Sequence, residues 1–490
     1  MTARTRLTRT LRRTVALAAA LVLPLSVPLL TPARAATPAP PFQLWTPASL
    51  TVVSFDNQLY SDLGIRAIAQ GEPFELWSNR SSYDDPIHTE WRSTAGTVAL
   101  PEGSMPDFGR IANFLYLKFE RADGVIRKMP AGVCFGGYSS QRVRPDAPAR
   151  SPYPQGCYSN PYSLGSVQGV QTGWSTAILT QDRPIKLRPG SYTVTIRIAK
   201  PYADLFHIPN AGRVRTMHLT VTLEDQCCKP GPGVGRAQRP SPQPAATEPT
   251  HDRAGSLVGP TPDLRALPAF AIGVARNGNY LNFAADVWNG GDSPLVVDGF
   301  RREGEDLMDA YQYFFDADGN QTGYQQVGQM HWDPRPSHQH WHFEDFARYT
   351  LLDADQVEKV RSKKEAFCLA NTDSVDTTIP GAAWNPYNTD LSTACGDLSS
   401  LSVREVLLSG WGDTYGQFRA GQSFDLKGLP NGRYYIAVTA NPEHNLVESS
   451  YDNNVSLRKI WIGGTPDHRT VHVPQIGMIV EPDWFGEGGR

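Results

Sequence analysis

The chain has 490 residues, a formal net charge of -3 and 40% hydrophobic residues. That composition suits globular domains with real cores, and its mild acidity argues against a broad nucleic-acid-binding surface. The length allows two or three domains.

At the start of the chain, Arg4, Arg6, Arg9, Arg12 and Arg13 precede an apolar stretch from Val15 to Leu30, broken by Pro24 and Pro28. A spanning helix needs about 20 apolar residues, and this stretch falls short. Ala33-Arg34-Ala35 supplies the small residues of a cleavage site, so residues 1–35 read as a signal peptide and the protein as secreted. Arg12-Arg13 with Val15 behind it also resembles a twin-arginine signal, which leaves that route and ordinary secretion both open. No later run is apolar for long enough to cross a membrane, so no membrane span is expected.

Residues 36–228 read as a β-sandwich domain whose role the sequence does not state. Runs such as Leu50–Phe55, Leu115–Phe119 and Ser191–Ile198 are rich in Val, Ile, Thr, Tyr and Phe and are bounded by turn residues. Residues 229–262 are dominated by Pro, Gly, Ala, Ser and Gln with no apolar period, the composition of an extended linker. Residues 263–463 form a second domain. Leu281–Ala284 with Val287-Trp288, Gly432–Val438 and Val455–Ile462 read there as strands. Pro189-Gly190-Ser191-Tyr192 is loosely echoed by Pro430-Asn431-Gly432-Arg433-Tyr434-Tyr435, a turn feeding a strand in each domain. Residues 464–490 are a Gly- and Pro-rich tail, expected to lie on the surface or stay mobile. The expected fold is all-β, two β-sandwich-like domains joined by a Pro-rich linker, with one short helix in the second.

That helix is placed over Ala354–Lys364, capped by Asp353. Val357, Val360 and Lys364 share one face of it, and Lys363 points away. Lys364 is therefore the inward lysine, which needs a partner, an exit for its charge or a chemical task. The six cysteines suggest disulfides in an exported protein. Cys134 with Cys157 and Cys368 with Cys395 each close a short local loop and are the expected pairs. Cys227-Cys228 is either a vicinal disulfide or two half-bridges.

The strongest chemical signal is Ser337-His338-Gln339-His340-Trp341-His342, which concentrates three of the chain's 11 histidines at alternate positions. Alternate residues of a strand share a face, so the imidazoles of His338, His340 and His342 point one way. Neutral imidazoles suit copper, zinc, nickel and iron. In a flat strand the outer two Cβ atoms would stand about 13 Å apart. Two histidines sharing a metal bridge only about 10 Å. The strand must therefore bend or bulge, or a loop ligand must replace one histidine. His331, held near by the loop Asp333-Pro334-Arg335-Pro336, is the additional candidate.

At these residues the chain resembles the lysyl oxidase family, in a secreted bacterial-type form. The family's His-x-His-x-His run is followed by an acidic residue, an aromatic and a Tyr before paired leucines. Here Glu344, Asp345, Phe346, Tyr349, Leu351 and Leu352 follow His342. Lys364-Glu365-Ala366-Phe367-Cys368 matches the family's cofactor lysine four residues before a Cys, and Asp413-Thr414-Tyr415-Gly416 matches its cofactor-tyrosine segment. Asn441-Pro442, Glu448-Ser449, Tyr451 and Asn453-Asn454 match a closing signature. The chain departs in having Ser337 where the family often has Cys, and in carrying fewer cysteines than animal members.

The resemblance implies copper held by His338, His340 and His342, and a lysine tyrosylquinone made from Lys364 and Tyr415. A substrate primary amine, peptidyl lysine or a relative of it, would condense with the quinone as a Schiff base, and a base would remove its α-proton. Molecular oxygen would re-oxidise the cofactor, with release of aldehyde, ammonia and hydrogen peroxide. Glu344 and Asp345 are the candidate bases, each with an alternative role in orienting a histidine. The competing reading is an extracellular metal-binding or adhesion protein without redox turnover.

Overall fold

Strands form wherever β-branched and aromatic residues recur at alternate positions between turns. A computed structural model of the protein describes residues 40–481, apart from 125, 138, 181–183, 224–246, 336–338, 365, 387–390, 420 and 467. The expected signal peptide, Cys227-Cys228, the first part of the expected linker and His338 lie outside the described residues.

The chain is all-β, as expected. Among the described residues, helical structure is confined to the six-residue helix Lys200–Leu205 and the 3-10 turn Asn210–Gly212. No helix among them is long and apolar enough to cross a membrane. In the N-terminal half a five-stranded sheet runs in the order Ser49–Ser54, Val214–Leu223, Gly190–Ile198, Ile111–Arg121, Ile126–Val133. Along Gly190–Ile198, Tyr192, Val194, Ile196 and Ile198 turn inward while Thr193, Thr195 and Arg197 do not. They join Phe42, Phe74 and Phe114 in one core.

In the C-terminal half the strand His340–Glu344 lies between Ala366–Phe367 and Gln321–Asp333. A second sheet places Trp411–Tyr415 between Tyr280–Asn289 and Asp373–Ser374. A third runs Glu358–Arg361, Ala347–Leu352, Gly432–Ala440, Val455–Thr465, His468–His472. Trp341, Phe343, Phe283, Tyr349, Phe367 and Trp411 belong to the single core shared by these sheets.

The echo between the two halves has a structural cause. Tyr192 Oη donates to the carbonyl of Arg188 at 2.7 Å, and Tyr434 Oη to the carbonyl of Pro430 at 2.7 Å. In each half a tyrosine at the start of a strand reaches back four residues to pin the turn that precedes it, the tyrosine-corner arrangement of β-sandwiches.

The helix expected over Ala354–Lys364 is absent. Asp353 Oδ1 accepts from the amides of Asp355 and Val357, and Gln356 sits at φ 62. This closes a hairpin turn, after which Glu358–Arg361 pairs with Thr350–Leu352 as an edge strand. A left-handed residue so early cannot continue a right-handed helix, and Val357 is exposed rather than on a buried face. Lys364 is inward all the same, for a different reason. Ser362 and Lys364 are buried and Lys363 exposed, a period of two.

The expected linker and tail are partly structured. Arg253–Gly255 adds a short strand to Gln321–Asp333. His468–His472 pairs with Val455–Thr465, and Ile479 is buried. Ile479 packs in a third apolar cluster with Phe270, Trp288 and Val375 of the C-terminal half and Tyr162 of the N-terminal half.

Candidate active site

The strand His340–Glu344 sends Trp341 and Phe343 into the core and turns His340, His342 and Glu344 to the other face. Trp341 fixes this register. Its indole Nε1 donates to the carbonyl of Asp397 at 2.9 Å, and its backbone N–H to the carbonyl of Cys395 at 3.0 Å. Gln339 sits at φ 48, so the extended run stops just before His340.

His340 and His342 converge, with their Nε2 atoms 2.8 Å apart and their rings at 76°. Two ligands bound at right angles about 2.0 Å from one metal would be separated by about 2.8 Å. The Asp333 carboxylate lies 3.5 Å from His342 Nδ1 and is itself gripped by Arg335. A carboxylate on Nδ1 leaves Nε2 as the ligating atom. His331 is paired with His342 across the neighbouring strand, and its Nε2 is 3.1 Å from Glu344 Oε2. Asp345 follows at φ 55 in the turn that ends the strand.

Lys364 is 3% exposed, and its Nζ has no hydrogen-bond partner among the described residues. The ammonium position lies 4.7 Å from the centre of the Tyr415 ring and 5.1 Å from that of Phe367. Burial first, then Arg335, lowers the lysine pKa from 10.5 to about 8, against the opposing pull of Asp413 and Asp333. The amine therefore reaches its neutral, nucleophilic form as the pH approaches 8, well below the ordinary lysine range.

Tyr415 is held by the backbone of a single residue. Its hydroxyl accepts from the Cys368 N–H and donates to the Cys368 carbonyl, both at 3.1 Å. Burial, reinforced by Asp413 and Glu405, pushes its pKa well above 10. Cys368 is disulfide-bonded to Cys395, so one covalent bridge joins the anchor of Tyr415 to the carbonyl that fixes Trp341. Cys134–Cys157 is a second disulfide among the described residues, and both expected pairs are present.

Two buried carboxyls complete the lining. Glu405 Oε2 accepts from the Leu369 N–H at 2.9 Å, next to the peptide that holds Tyr415. Asp413, two residues before Tyr415 on its strand, has an Oδ2 without a partner. Burial raises both pKa values strongly, with like-charge repulsion from Asp286 adding to the shift at Asp413 and from Asp413 to that at Glu405. Sequence reasoning missed Asp333, Asp413 and Glu405 as parts of the site. Asp413 stood inside the Asp-Thr-Tyr-Gly segment, and Asp333 in the loop next to His331. Nothing in the sequence marks Glu405.

The site thus sets two convergent histidines beside a buried lysine that lies over a tyrosine ring, in an all-β chain. The lysyl oxidase family model matches residues 312–469, the stretch from before His331 to beyond Tyr415. Human lysyl oxidase homolog 1 is 29% identical over 126 residues, 25% of this chain and 19% of that protein. Lysyl oxidase homolog 2 of Gallus gallus is 24% identical over 200 residues, 41% of this chain and 22% of its own length. Homolog 2 of Bos taurus is 26% identical over 129 residues, 26% of this chain and 15% of its length. The likeness to the lysyl oxidase family is carried by this C-terminal stretch, and the chain spans under a quarter of the length of these relatives.

Proposed function

We propose that the protein is a secreted, copper-dependent amine oxidase acting on primary amines such as peptidyl lysine. The reaction is RCH2NH2 + O2 + H2O giving RCHO + NH3 + H2O2. The observation that carries this reading is the buried Lys364 Nζ, without a hydrogen-bond partner among the described residues and 4.7 Å from the centre of the Tyr415 ring. A buried lysine without a hydrogen-bonded partner is costly unless it has a chemical use.

The donor set fits copper. His338, His340 and His342 are the proposed ligands, with His331 in reserve on the adjacent strand. Imidazole nitrogens suit copper, and the convergence of His340 and His342 is the geometry that one shared ion requires. Copper held by these histidines would supply, with dioxygen as oxidant, the chemistry for converting the Tyr415 ring to a quinone. Lys364 stands where its neutral amine would add to that ring, and dioxygen would then re-oxidise the reduced adduct to lysine tyrosylquinone. The Cys368 peptide holds the tyrosine oxygen, and Phe367, edge-on at 4.8 Å, keeps the ring from turning. Glu344 shares the face of His340 and His342 and is part-exposed, which makes it the better placed of the two proposed bases. Asp345 lies beyond the strand end.

The test is amine-dependent release of hydrogen peroxide after copper loading in air. The wild type is expected to release it, and H342A, K364A and Y415F to release none. Tight copper binding with no peroxide from any primary amine would return the protein to the metal-binding reading.

A further inference from the structure

We propose that the N-terminal half is an internal brace for the strand that carries Tyr415, and that Asn160 is its positioning residue. The strand Trp411–Tyr415 has two neighbours. On one side Asp286 pairs with Thr414 and Ala285 with Tyr415. On the other, Asp373 pairs with Gly412 and Ser374 with Trp411. The N-terminal half extends this array along the far side of Ser374–Thr377. Ser163 Oγ donates to the carbonyl of Ser374 at 2.7 Å, the Leu164 N–H to that of Val375 at 2.6 Å, and the Thr377 N–H to that of Gly165 at 3.1 Å.

One contact goes further and crosses the back of the Tyr415 strand. Asn160 Nδ2 donates to Asp286 Oδ2, which lies on the opposite neighbour. Asn160 is oriented for this, because its Oδ1 already accepts from the Tyr162 N–H at 2.8 Å and its own N–H donates to Ser163 Oγ at 3.1 Å. The clasp lies flat against Gly412. A Cβ there would stand 2.3 Å from Asp286 Oδ1, closer than any side chain tolerates. Tyr158 adds its ring 5.9 Å from that of Trp411, at the start of the same strand. The Cys134–Cys157 bridge, one residue earlier, anchors this segment to its own half. Both neighbours of the Tyr415 strand are thus tied to one N-terminal segment. Without it the strand would keep its ladder bonds and lose the part that resists sliding or opening.

The bracing rests on these contacts alone; its consequence for cross-linking rests on the oxidase reading. The test compares wild type, N160A and T377V as full-length metal-free protein. T377V removes the hydroxyl that accepts the Val167 N–H at 2.9 Å, elsewhere in the same interface, and controls for general loosening. Amide hydrogen exchange over residues 411–415 is expected to quicken about tenfold or more in N160A and to stay near wild type in T377V. D286N, which keeps an oxygen for Asn160, should behave as wild type. Equal exchange in N160A and wild type, or no more in N160A than in T377V, would overturn the proposal. Should N160A fail to fold, N160S decides on the same readout. After copper loading in air, N160A should bind copper at wild-type stoichiometry while the Lys364–Tyr415 link forms about ten- to a hundredfold more slowly. Linking at the wild-type rate despite faster exchange would overturn the positioning role of Asn160. A wild type that binds copper and never forms the link would count against the oxidase reading, and the exchange result would still decide the brace.

Discussion

Lys364 shows how one residue can be legible in sequence for a mistaken reason. Its helical phase pointed inward, and the residue is inward, but on a strand period beyond a hairpin. Its buried charge makes it a liability in the unlinked protein. The folded-state pKa of about 8 lies below the ordinary 10.5, so at neutral pH the folded state carries a disfavoured ammonium. Replacing it by methionine should stabilise the metal-free protein by about 3 kcal/mol at pH 7, measured by denaturant unfolding. Between about 8 and 10.5 the unfolded chain binds more protons than the folded one, so wild-type stability rises with pH there and the gap to K364M closes. A gap that does not change with pH would show that packing, not charge, sets the difference. Asp333 belongs to the same scale. D333N should weaken copper affinity about ten- to a hundredfold, with linking still reached at saturating copper. Equal affinity would mean that the 3.5 Å approach to His342 does not orient the ring. Partners of this kind were hidden because they depend on which residue of the next strand lies opposite.

At the scale of elements, alternation carried most of the information. The histidine strand, the Tyr280–Asn289 strand and the turn that feeds a strand in each half follow from residue pattern and turn chemistry. The segment 353–364 did not, because its helix-forming residues are outweighed by one side chain. Asp353 bonds two amides of its own turn and commits the chain to a hairpin. Gly412 could not be read either, since its need for a bare backbone comes from Asp286 on the neighbouring strand. G412A should cost about 1–3 kcal/mol of stability by overpacking, and it should slow formation of the Lys364–Tyr415 link more than copper uptake. Wild-type melting and linking in G412A would show that the Asp286 carboxyl moves aside freely.

For the whole molecule, the sequence divides the chain by composition, while the structure ties its ends together through a shared cluster of Tyr162, Phe270, Trp288, Val375 and Ile479. Such a cluster is invisible in sequence because its members come from four distant segments. A chain beginning at Asp263 would keep every candidate site residue and expose this apolar surface. It should therefore be recovered mostly as aggregate, or with a lowered melting temperature, when compared with the full chain by size-exclusion chromatography and calorimetry. A soluble, monomeric fragment of wild-type stability would show that the halves fold independently. The central claim is that Lys364 and Tyr415 become one cofactor. Its most direct measurement is peptide mapping by mass spectrometry after copper loading of the purified full-length protein in air. The account predicts that the two residues' peptides are recovered as one covalently joined species. Recovery of both as free, unmodified peptides from fully copper-loaded protein would contradict it.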